Sequence, residues 1–481
     1  MYNFIEKCIK YIQKYIEKCI FTAWNFMEKC KNVLRKGEIT MLYRKIQSYI
    51  ENHLKSDSNK ILIIDGARQI GKTYIIKYTA EKLFKNYIEL NMLEDFLSEK
   101  NFSTVKTVDD FYLQVSMIAG EKMQDKDNTI IFIDEIQAYP HLLTLLKFLK
   151  RDDRYTYIAS GSLLGVTLAE TTSIPMGSIE VKRMYPLDFE EFLLNNGFNS
   201  FAIDIMRKKF EAKESLDETT HNKVMDLFKK YLLVGGLPDA INSYIKDKNI
   251  VSVRNIQTEI HKFYGMDASQ YDEQRKLKIR RIYDTIPSNL ENKKKRVVIQ
   301  DIENKKGKRS SDYQDEFDYL INAGIALDVK AISTPTFPLI ENSGKNLLKL
   351  YLNDVGILTN ILYKNNIRAV IDDVKSINLG SVYECVVASE LKAHGFSLYY
   401  YDNKAKGEVD FLIDDYESLS TVPLEIKSGK DYTVHSALNH FISNDDYNVK
   451  KGFVLSNERE VAIKDKITYL PIYYIMFFKQ D

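Results

Sequence analysis

The clearest pattern along the chain is a set of short apolar runs that end in polar or small residues. Residues 61–64 are Ile-Leu-Ile-Ile, residues 130–133 are Ile-Ile-Phe-Ile, and residues 155–162 form a third run that ends in Ser-Gly-Ser. An unbroken apolar run of this length is typical of a strand that is buried on both faces. The pattern therefore predicts an α/β fold with a parallel sheet.

A glycine-rich stretch follows the first run and leads into a helix-like segment. It consists of Gly66, Ala67, Arg68, Gln69, Ile70, Gly71, Lys72 and Thr73. A strand, such a loop and a helix in this order form a phosphate cradle, because the loop directs backbone N–H groups toward phosphate oxygens. We expect Lys72 to reach the β- and γ-phosphates of a nucleotide and Thr73 to bind Mg²⁺. The alternative is a chance match in an ordinary loop.

Further candidate residues follow the other two runs. Asp134 and Glu135 come directly after the second run, at the edge where open α/β sheets place their ligands. We expect Asp134 to hold Mg²⁺ and Glu135 to polarise the attacking water. We expect Ser160 to sense the γ-phosphate or to hold the lytic water. The alternative is an ordinary strand end before a turn. The alternative for Asp134 and Glu135 is that they are solvated residues at the end of a strand, without a catalytic role.

Positive charge is concentrated in the middle of the chain. Residues 275–309 contain 13 basic and 4 acidic residues, a local net charge of +9 in a chain of +1 overall. Helices predicted over 275–289, 297–303 and 311–322, followed by a strand pair, favour a winged helix-turn-helix. We expect residues 275–309 to bind nucleic acid, in particular DNA, through phosphate contacts. A solvated basic face is the alternative.

A third group of candidate residues lies near the C-terminus. Glu384 falls in a helical stretch, Asp410 in a strand-like segment, and Glu425 and Lys427 alternate along another strand, which places them on one face. Three carboxylates and a lysine at one place form a Mg²⁺ site with Asp410 and Glu425 as ligands, and Glu384 and Lys427 join them as candidate catalytic residues. By itself, an alternating Glu-x-Lys is also typical of a surface ion pair.

As a set, these motifs resemble a large group of prokaryotic AAA-type ATPases whose C-terminal half is a domain of unknown function. The resemblance covers residues 41–481 and rests on residues 66–73, 134–137, 185–192, 233–238, 351–356 and 425–427. It implies ATP as the nucleotide. The C-terminal constellation resembles PD-(D/E)XK nucleases, and the family resemblance points to the same fold.

An arginine from a neighbouring subunit completes many ATPase sites, so we expect a homo-oligomer such as a ring or a dimer. Many relatives carry a Gly-Arg pair shortly before the segment that begins at Tyr185. This chain has Gly177 and Ser178 there, and Arg183 is the nearby substitute candidate.

The first 40 residues carry an eleven-residue repeat of Glu-Lys-Cys, at residues 6–8, 17–19 and 28–30. Eleven residues are about three helical turns, so the apolar residues share one helical face. We expect an oligomerisation or docking helix, or else an upstream extension from a misassigned start.

Composition sets outer bounds on the fold and the location. The 481 residues are 44% hydrophobic and 28% charged, which is ordinary for a soluble protein of two to four domains. No apolar run is long enough for a transmembrane segment. Four cysteines without metal-type spacing fit a reducing cytoplasm.

The expected architecture has four parts, ending in a restriction-nuclease-like α/β domain. They are an amphipathic helix or extension (1–40), a P-loop AAA-like ATPase with a helical lid (41–250), a winged helix (251–345) and a PD-(D/E)XK-like domain (346–481). The expected function is ATP hydrolysis coupled to action on DNA, with a possible Mg²⁺-dependent nuclease. The alternative is an ATP-dependent switch whose C-terminal domain is a non-catalytic binding platform.

Overall fold

Two β-sheets organise the protein, and the bounds below come from a computed structural model. It describes residues 41–56, 58–162, 164, 177–267, 276–303, 307–342, 347–372, 377, 379–403, 406–429 and 432–480. The helix expected over residues 1–40 lies outside the described residues. All elements named below belong to the structural unit that begins at Tyr43.

The first sheet is parallel throughout and has the strand order β2-β3-β4-β1-β5. Its strands are β1 (Ile61–Asp65), β2 (Asn86–Asn91), β3 (Thr129–Asp134), β4 (Thr156–Gly161) and β5 (Ile179–Arg183). β1 and β3 are buried along their whole length, as their unbroken apolar runs predict. The parallel α/β sheet expected from the sequence is therefore present.

Helices connect and cover this sheet. They are α1 (Lys45–Lys55), α2 (Lys72–Leu83), α3 (Met92–Leu97), α4 (Val108–Ala119) and α5 (Pro140–Asp152). Apolar residues of α4 and α5, including Phe111 and Leu146, pack with Ile63 and Ile131 of the sheet in one core. Because the strands pair in parallel, the carboxyl ends of β1, β3 and β4 lie at one edge of the sheet.

A helical region follows the first sheet. It contains α6 (Phe189–Asn195), α7 (Ser200–Glu211), α8 (Glu218–Val234), α9 (Pro238–Asp247) and α10 (Ile250–Asp267). Pro238 occupies the first turn of α9, where its missing N–H has no helical partner to lose.

The basic middle segment contains two helices, α11 (Lys276–Glu291) and α12 (Ile299–Ile302), and α13 (Gln314–Asn322) follows it. The expected strand pair follows as β6 (Ala326–Ile332) and β7 (Leu348–Leu352), which are antiparallel. However, β6 also pairs in parallel with β8 (Tyr399–Asn403). The strand pair assigned to a wing is thus part of a larger sheet.

The second sheet is mixed and has the order β12-β13-β11-β10-β9-β8-β6-β7. Its remaining strands are β9 (Gly407–Asp415), β10 (Ser420–Ile426), β11 (Gly452–Ser456), β12 (Ala462–Lys464) and β13 (Ile467–Pro471). The helices around it are α14 (Val355–Tyr363), α15 (Arg368–Ile371), α16 (Gly380–Ala393) and α17 (Ser436–Ile442). The domain boundary drawn between residues 345 and 346 falls inside this sheet.

Three of the motifs noted in the sequence meet where the helical region joins the second sheet. The backbone N–H of Leu187 donates to the carbonyl of Gly236 at 2.7 Å, and the N–H of Gly236 donates to the Asp354 carboxylate at 2.6 Å. The N–H of Phe189 donates to Glu390 on α16 at 2.7 Å. Residues 185–192, 233–238 and 351–356 therefore form one junction.

Among the helices in the described ranges, none combines the length and the hydropathy needed to cross a lipid bilayer.

Candidate functional sites

The glycine-rich loop joins β1 to α2. Gly71 precedes the helix with φ +90°, a left-handed conformation that favours glycine. At Gly66, a Cβ atom would lie 2.4 Å from the carbonyl oxygen of Met184, so the close approach of β5 also requires glycine. α2 begins at Lys72 and presents its positive end to the loop, which is the arrangement that binds phosphate.

Lys72 is folded back onto the loop. Its ammonium donates to the carbonyls of Gly66 at 2.9 Å and Ala67 at 2.8 Å. Burial lowers the pKa of this ammonium, against the opposing effect of nearby carboxylates such as Glu135. The lysine is therefore held at the loop by carbonyl oxygens, and phosphate oxygens are the stronger, charge-assisted acceptors.

Asp134 stands at the end of β3 and links the loop to the neighbouring strand. The hydroxyl of Thr73 donates to its Oδ2 at 2.9 Å, and the hydroxyl of Ser160, at the end of β4, donates to its Oδ1. Burial raises the pKa of Asp134. The hydroxyl of Thr73 and the carboxylate of Asp134 are the oxygen ligands that Mg²⁺ prefers, so the residues present fit this ion.

Glu135 follows with φ +52°, which turns its side chain away from the strand direction. Gln137 donates to its carboxylate, and the hydroxyl of Ser162 donates to the same oxygen at 3.1 Å. The Gln137 amide also accepts the N–H of Ser162 at 3.2 Å. Sequence reasoning gave no role to Gln137 or Ser162, although Gln137 belongs to the 134–137 segment that carries the family resemblance and Ser162 ends the third apolar run.

Arg183 was the candidate for an arginine that acts between subunits. Its guanidinium donates to the carbonyls of Ile321 at 2.7 Å and Asn322 at 3.1 Å, at the end of α13. It also lies 3.9 Å from the carboxylate of Asp65. This placement ties β5 to α13 within one chain and does not favour action on the nucleotide of another subunit.

Elements outside the first sheet also contact the loop. The hydroxyl of Tyr264, on α10, donates to the carbonyl of Arg68 at 2.8 Å. At Gly324, just after α13, a Cβ atom would lie 3.1 Å from the N atom of Ala67. The loop is therefore in contact with the helical region and with the turn after α13.

Comparison with known families agrees with this geometry. Residues 58–193 match the family model described as an AAA domain. This part of the chain is similar to an AAA domain, which supports the P-loop ATPase type. Residues 225–367 and 379–475 match two separate domains of unknown function, DUF8612 and DUF4143.

Individual relatives are distant. An uncharacterized protein of Methanocaldococcus jannaschii is 25% identical over 220 residues, which are 45% of this chain and 44% of that protein. The match thus spans less than half of the relative's length.

Similar solved structures include the Walker-type ATPase of Pyrococcus abyssi, with a TM-score of 0.39 and 12% identity over 66% of this chain and 95% of that one. The ORC1 protein of Aeropyrum pernix, solved in complex with DNA, has a TM-score of 0.29 and 13% identity over 69% and 94%.

Beyond the AAA domain, Glu384 lies on α16 and is buried against two donors. The ammonium of Lys295 is paired with its Oε1, and the hydroxyl of Tyr351 donates to its Oε2 at 2.7 Å. Burial favours the neutral carboxyl, but Lys295 and Lys349 outweigh it and lower the pKa of Glu384. Glu384 is thus held as a carboxylate.

Asp410 and Glu425 lie on the adjacent strands β9 and β10. Asp410 accepts the N–H of Ile426 at 2.8 Å, and Glu425 is paired with Lys427 at 2.8 Å. Burial raises the pKa of Asp410, and the negative charges of Glu425 and Glu384 raise it further. Burial also raises the pKa of Glu425, against the opposing charge of Lys427. The four residues predicted from the sequence therefore lie in one electrostatic cluster.

The carboxylate oxygens of this cluster do not lie as close together as the ligand atoms of a formed metal centre. Within the described residues, one set of at least three His, Cys, Asp or Glu side chains has its ligand atoms within 4.8 Å of one another. This set consists of Asp188, Glu390 and His394. That set belongs to the junction, where the ammonium of Lys45 already contacts Asp188 at 2.6 Å and Glu190 at 2.9 Å. We therefore interpret Asp188, Glu390 and His394 as part of a buried ion-pair network.

Some cationic side chains of the basic middle segment are exposed, and others are held in ion pairs with acidic residues. Exposed cationic side chains in its described part are Arg280, Arg281, Lys293, Lys294, Lys308 and Arg309. Others face inward: Lys295 pairs with Glu384, and Arg296 pairs with Asp402 at 2.8 Å.

Proposed function

We propose that this protein binds Mg²⁺·ATP at residues 66–73 and hydrolyses it. Lys72 leaves the loop carbonyls for the β- and γ-phosphates, while Thr73 and Asp134 hold Mg²⁺, which offsets phosphate charge when bound. Glu135 orients the attacking water and accepts its proton. The observation that carries this proposal is the 2.9 Å bond between Thr73 and Asp134, because it joins the phosphate loop to the acid pair.

Phosphate release tests this assignment. Lys72→Ala should lose both ATP binding and turnover, because it removes the buried ammonium at the start of α2 that we assign to the β- and γ-phosphates. Lys85→Ala removes the same charge from an exposed position of the AAA domain and is the matched control. Equal rates for the parent and Lys72→Ala would place any hydrolysis elsewhere.

We further propose that the exposed cations of the middle segment bind DNA through its phosphates. In support, Lys293 and Lys294 are exposed beside the C-terminal carboxylate cluster, so a strand held there lies close to Asp410 and Glu425. Replacing both lysines by methionine should weaken binding to all DNA sequences. The slope of log affinity against log salt concentration should become shallower, by the equivalent of about 1–2 phosphate contacts. A Lys85 and Lys122 double variant controls for net charge, and identical affinities at every salt concentration would exclude this surface.

Two roles remain for the C-terminal domain. In the first, it cleaves DNA with Mg²⁺, using Asp410 and Glu425 as ligands and Glu384 and Lys427 as further catalytic groups. In the second, it is a non-catalytic platform of an ATP-dependent switch. The ion pairs of Glu384 with Lys295 and of Glu425 with Lys427 favour the second role, because they already compensate the carboxylates.

Plasmid nicking separates these roles. A nuclease nicks plasmid in the presence of Mg²⁺ and ATP, and Glu425→Ala abolishes the nicking. A platform retains DNA or protein binding that depends on the nucleotide and leaves the plasmid intact. Nicking that survives Glu425→Ala would point to a contaminant or to another site.

A further inference from the structure

The side chain of Lys295 points into the protein, unlike those of its neighbours in the basic segment. Lys293 and Lys294 are exposed, whereas the side chain of Lys295 is only 18% exposed. Lys295 lies in the turn after α11, with φ +49° and its N–H donating to the carbonyl of Asn292 at 3.0 Å. This turn directs one lysine of the run into the protein.

The destination of Lys295 is the C-terminal carboxylate cluster. Its ammonium pairs with Glu384, whose side chain is 3% exposed, and it also interacts electrostatically with Asp410 and Glu408. Cation and anion charges in this cluster nearly balance, with four carboxylates against three ammonium groups. These are Glu384, Glu408, Asp410 and Glu425 against Lys295, Lys349 and Lys427.

The carboxylates of this cluster are chemically suited to a divalent cation, although their oxygen atoms are not as close together as in a formed metal centre. Carboxylates are the ligands that Mg²⁺ and Mn²⁺ prefer. Glu425 is 6% exposed, and its Oε2 has no hydrogen-bond partner among the described residues. A buried carboxylate oxygen of this kind is costly unless a cation or donor meets it. The cluster thus has an acceptor available to an ion, but Lys295 holds Glu384.

We propose that Lys295 is a built-in competitor of the divalent cation at this cluster. Two positive charges close to the same carboxylates repel each other, so binding of the ion requires that the ammonium leave Glu384. Lys295 is able to leave Glu384 because it follows an exposed turn, and Lys427, which is 26% exposed, pairs with Glu425 and not with Glu384. Lys349, by contrast, is fully buried with its ammonium 4.5 Å from the ring centre of Tyr400. The proposal rests on the metal-binding role proposed for the cluster and not on ATP hydrolysis.

Calorimetric titration of the full chain with Mn²⁺, without nucleotide, tests this competition. Lys295→Met should bind Mn²⁺ at least about tenfold more tightly than the parent, because one positive charge is removed from the site. Lys294→Met removes the same charge from the exposed neighbouring position and should leave the affinity unchanged. Adding Asp410→Asn to Lys295→Met should abolish the gain, which assigns the ion to this cluster.

Several outcomes would overturn the proposal. Equal affinities for Lys295→Met and Lys294→Met would show only a general charge effect, and weaker binding by Lys295→Met would make Lys295 a structural support. Absence of Mn²⁺ binding in every variant would exclude the metal site itself, and phosphate release by the same preparations would show whether the AAA domain still works. If Lys295→Met fails to fold by circular dichroism, Lys295→Gln replaces it. Lys295→Arg keeps the charge and should bind Mn²⁺ like the parent.

Discussion

Single side chains at the edge of the first sheet hold the acid pair in position. Thr73 and Ser160 each donate to one oxygen of Asp134, while Gln137 and Ser162 both donate to Glu135. Asp134 and Glu135 were predictable, because they end an apolar run. The roles of Gln137 and Ser162 were not, because they depend on the backbone turn at Glu135.

Gln137 is predicted to act as a positioning residue for Glu135. Gln137→Ala frees the carboxylate to rotate, so kcat for ATP should fall on the order of tenfold, as for other residues that orient a catalytic group, while KM changes little. Gln124→Ala is the control, since Gln124 is exposed and lies outside the site. A large rise in KM with unchanged kcat would instead mean that Gln137 contacts the nucleotide.

Asp354 at the junction is predicted to make stability depend on pH. Burial raises its pKa from 3.8 to about 6 in the folded protein, although it accepts N–H bonds from Gly236 and Ile357. A raised pKa favours folding below about pH 4, and this contribution declines as pH rises through 6. The free energy of unfolding falls by about 3 kcal/mol over this range, because the pKa is raised by about two units.

Asp354→Asn lacks this titration and supplies the test. Relative to the variant, the unfolding midpoint of the parent should fall between pH 4 and pH 7, because only the parent loses this contribution to stability. A difference that stays constant over this range would show that Asp354 does not take up a proton in the folded protein.

At the scale of elements, the junction depends on the close approach of two loops. A Cβ atom at Gly236 would lie 2.1 Å from the carbonyl oxygen of Leu187. Gly236→Ala should therefore separate α6 from α9 and lower the free energy of unfolding by about 3 kcal/mol. Gly429→Ala is the matched control, because a Cβ atom there meets nothing within 4 Å. Equal thermal midpoints for the two variants would contradict this role of Gly236.

Elements were predictable where they depend on local pattern, and less so where they depend on distant partners. The apolar runs before the phosphate loop and before Asp134 are strands, and the helices predicted in and after the basic segment are present at α11, α12 and α13. The strand pair after them was also expected, but the sequence does not show that β6 pairs with β8. Such pairing is decided by packing of segments far apart in the chain, which periodicity does not encode.

At the scale of the whole molecule, contacts connect the phosphate loop to elements on either side of the basic middle segment. Tyr264 contacts Arg68, and Gly324, after α13, approaches Ala67. We therefore expect a nucleotide that reshapes the loop to shift α10 and the turn after α13, which flank the basic middle segment. The homo-oligomeric ring or dimer stays a prediction, which light scattering with and without ATP tests.

This connection predicts that DNA stimulates ATP hydrolysis. Phosphate release should increase when DNA is added at low salt, and the increase should fade as salt rises, because phosphate contacts are screened. The Lys293 and Lys294 double methionine variant should keep the basal rate and lose the stimulation. Stimulation that is independent of salt would argue against an electrostatic surface.

The most direct test of the central claim compares ATP binding and ATP turnover in Glu135→Gln. Glutamine keeps the shape of the side chain but cannot accept a proton from water, so turnover should fall by about 10²-fold or more while the Kd for Mg²⁺·ATP stays near that of the parent. If Glu135→Gln hydrolyses ATP at the parental rate, or if the parent fails to bind ATP, the assignment of this site is contradicted.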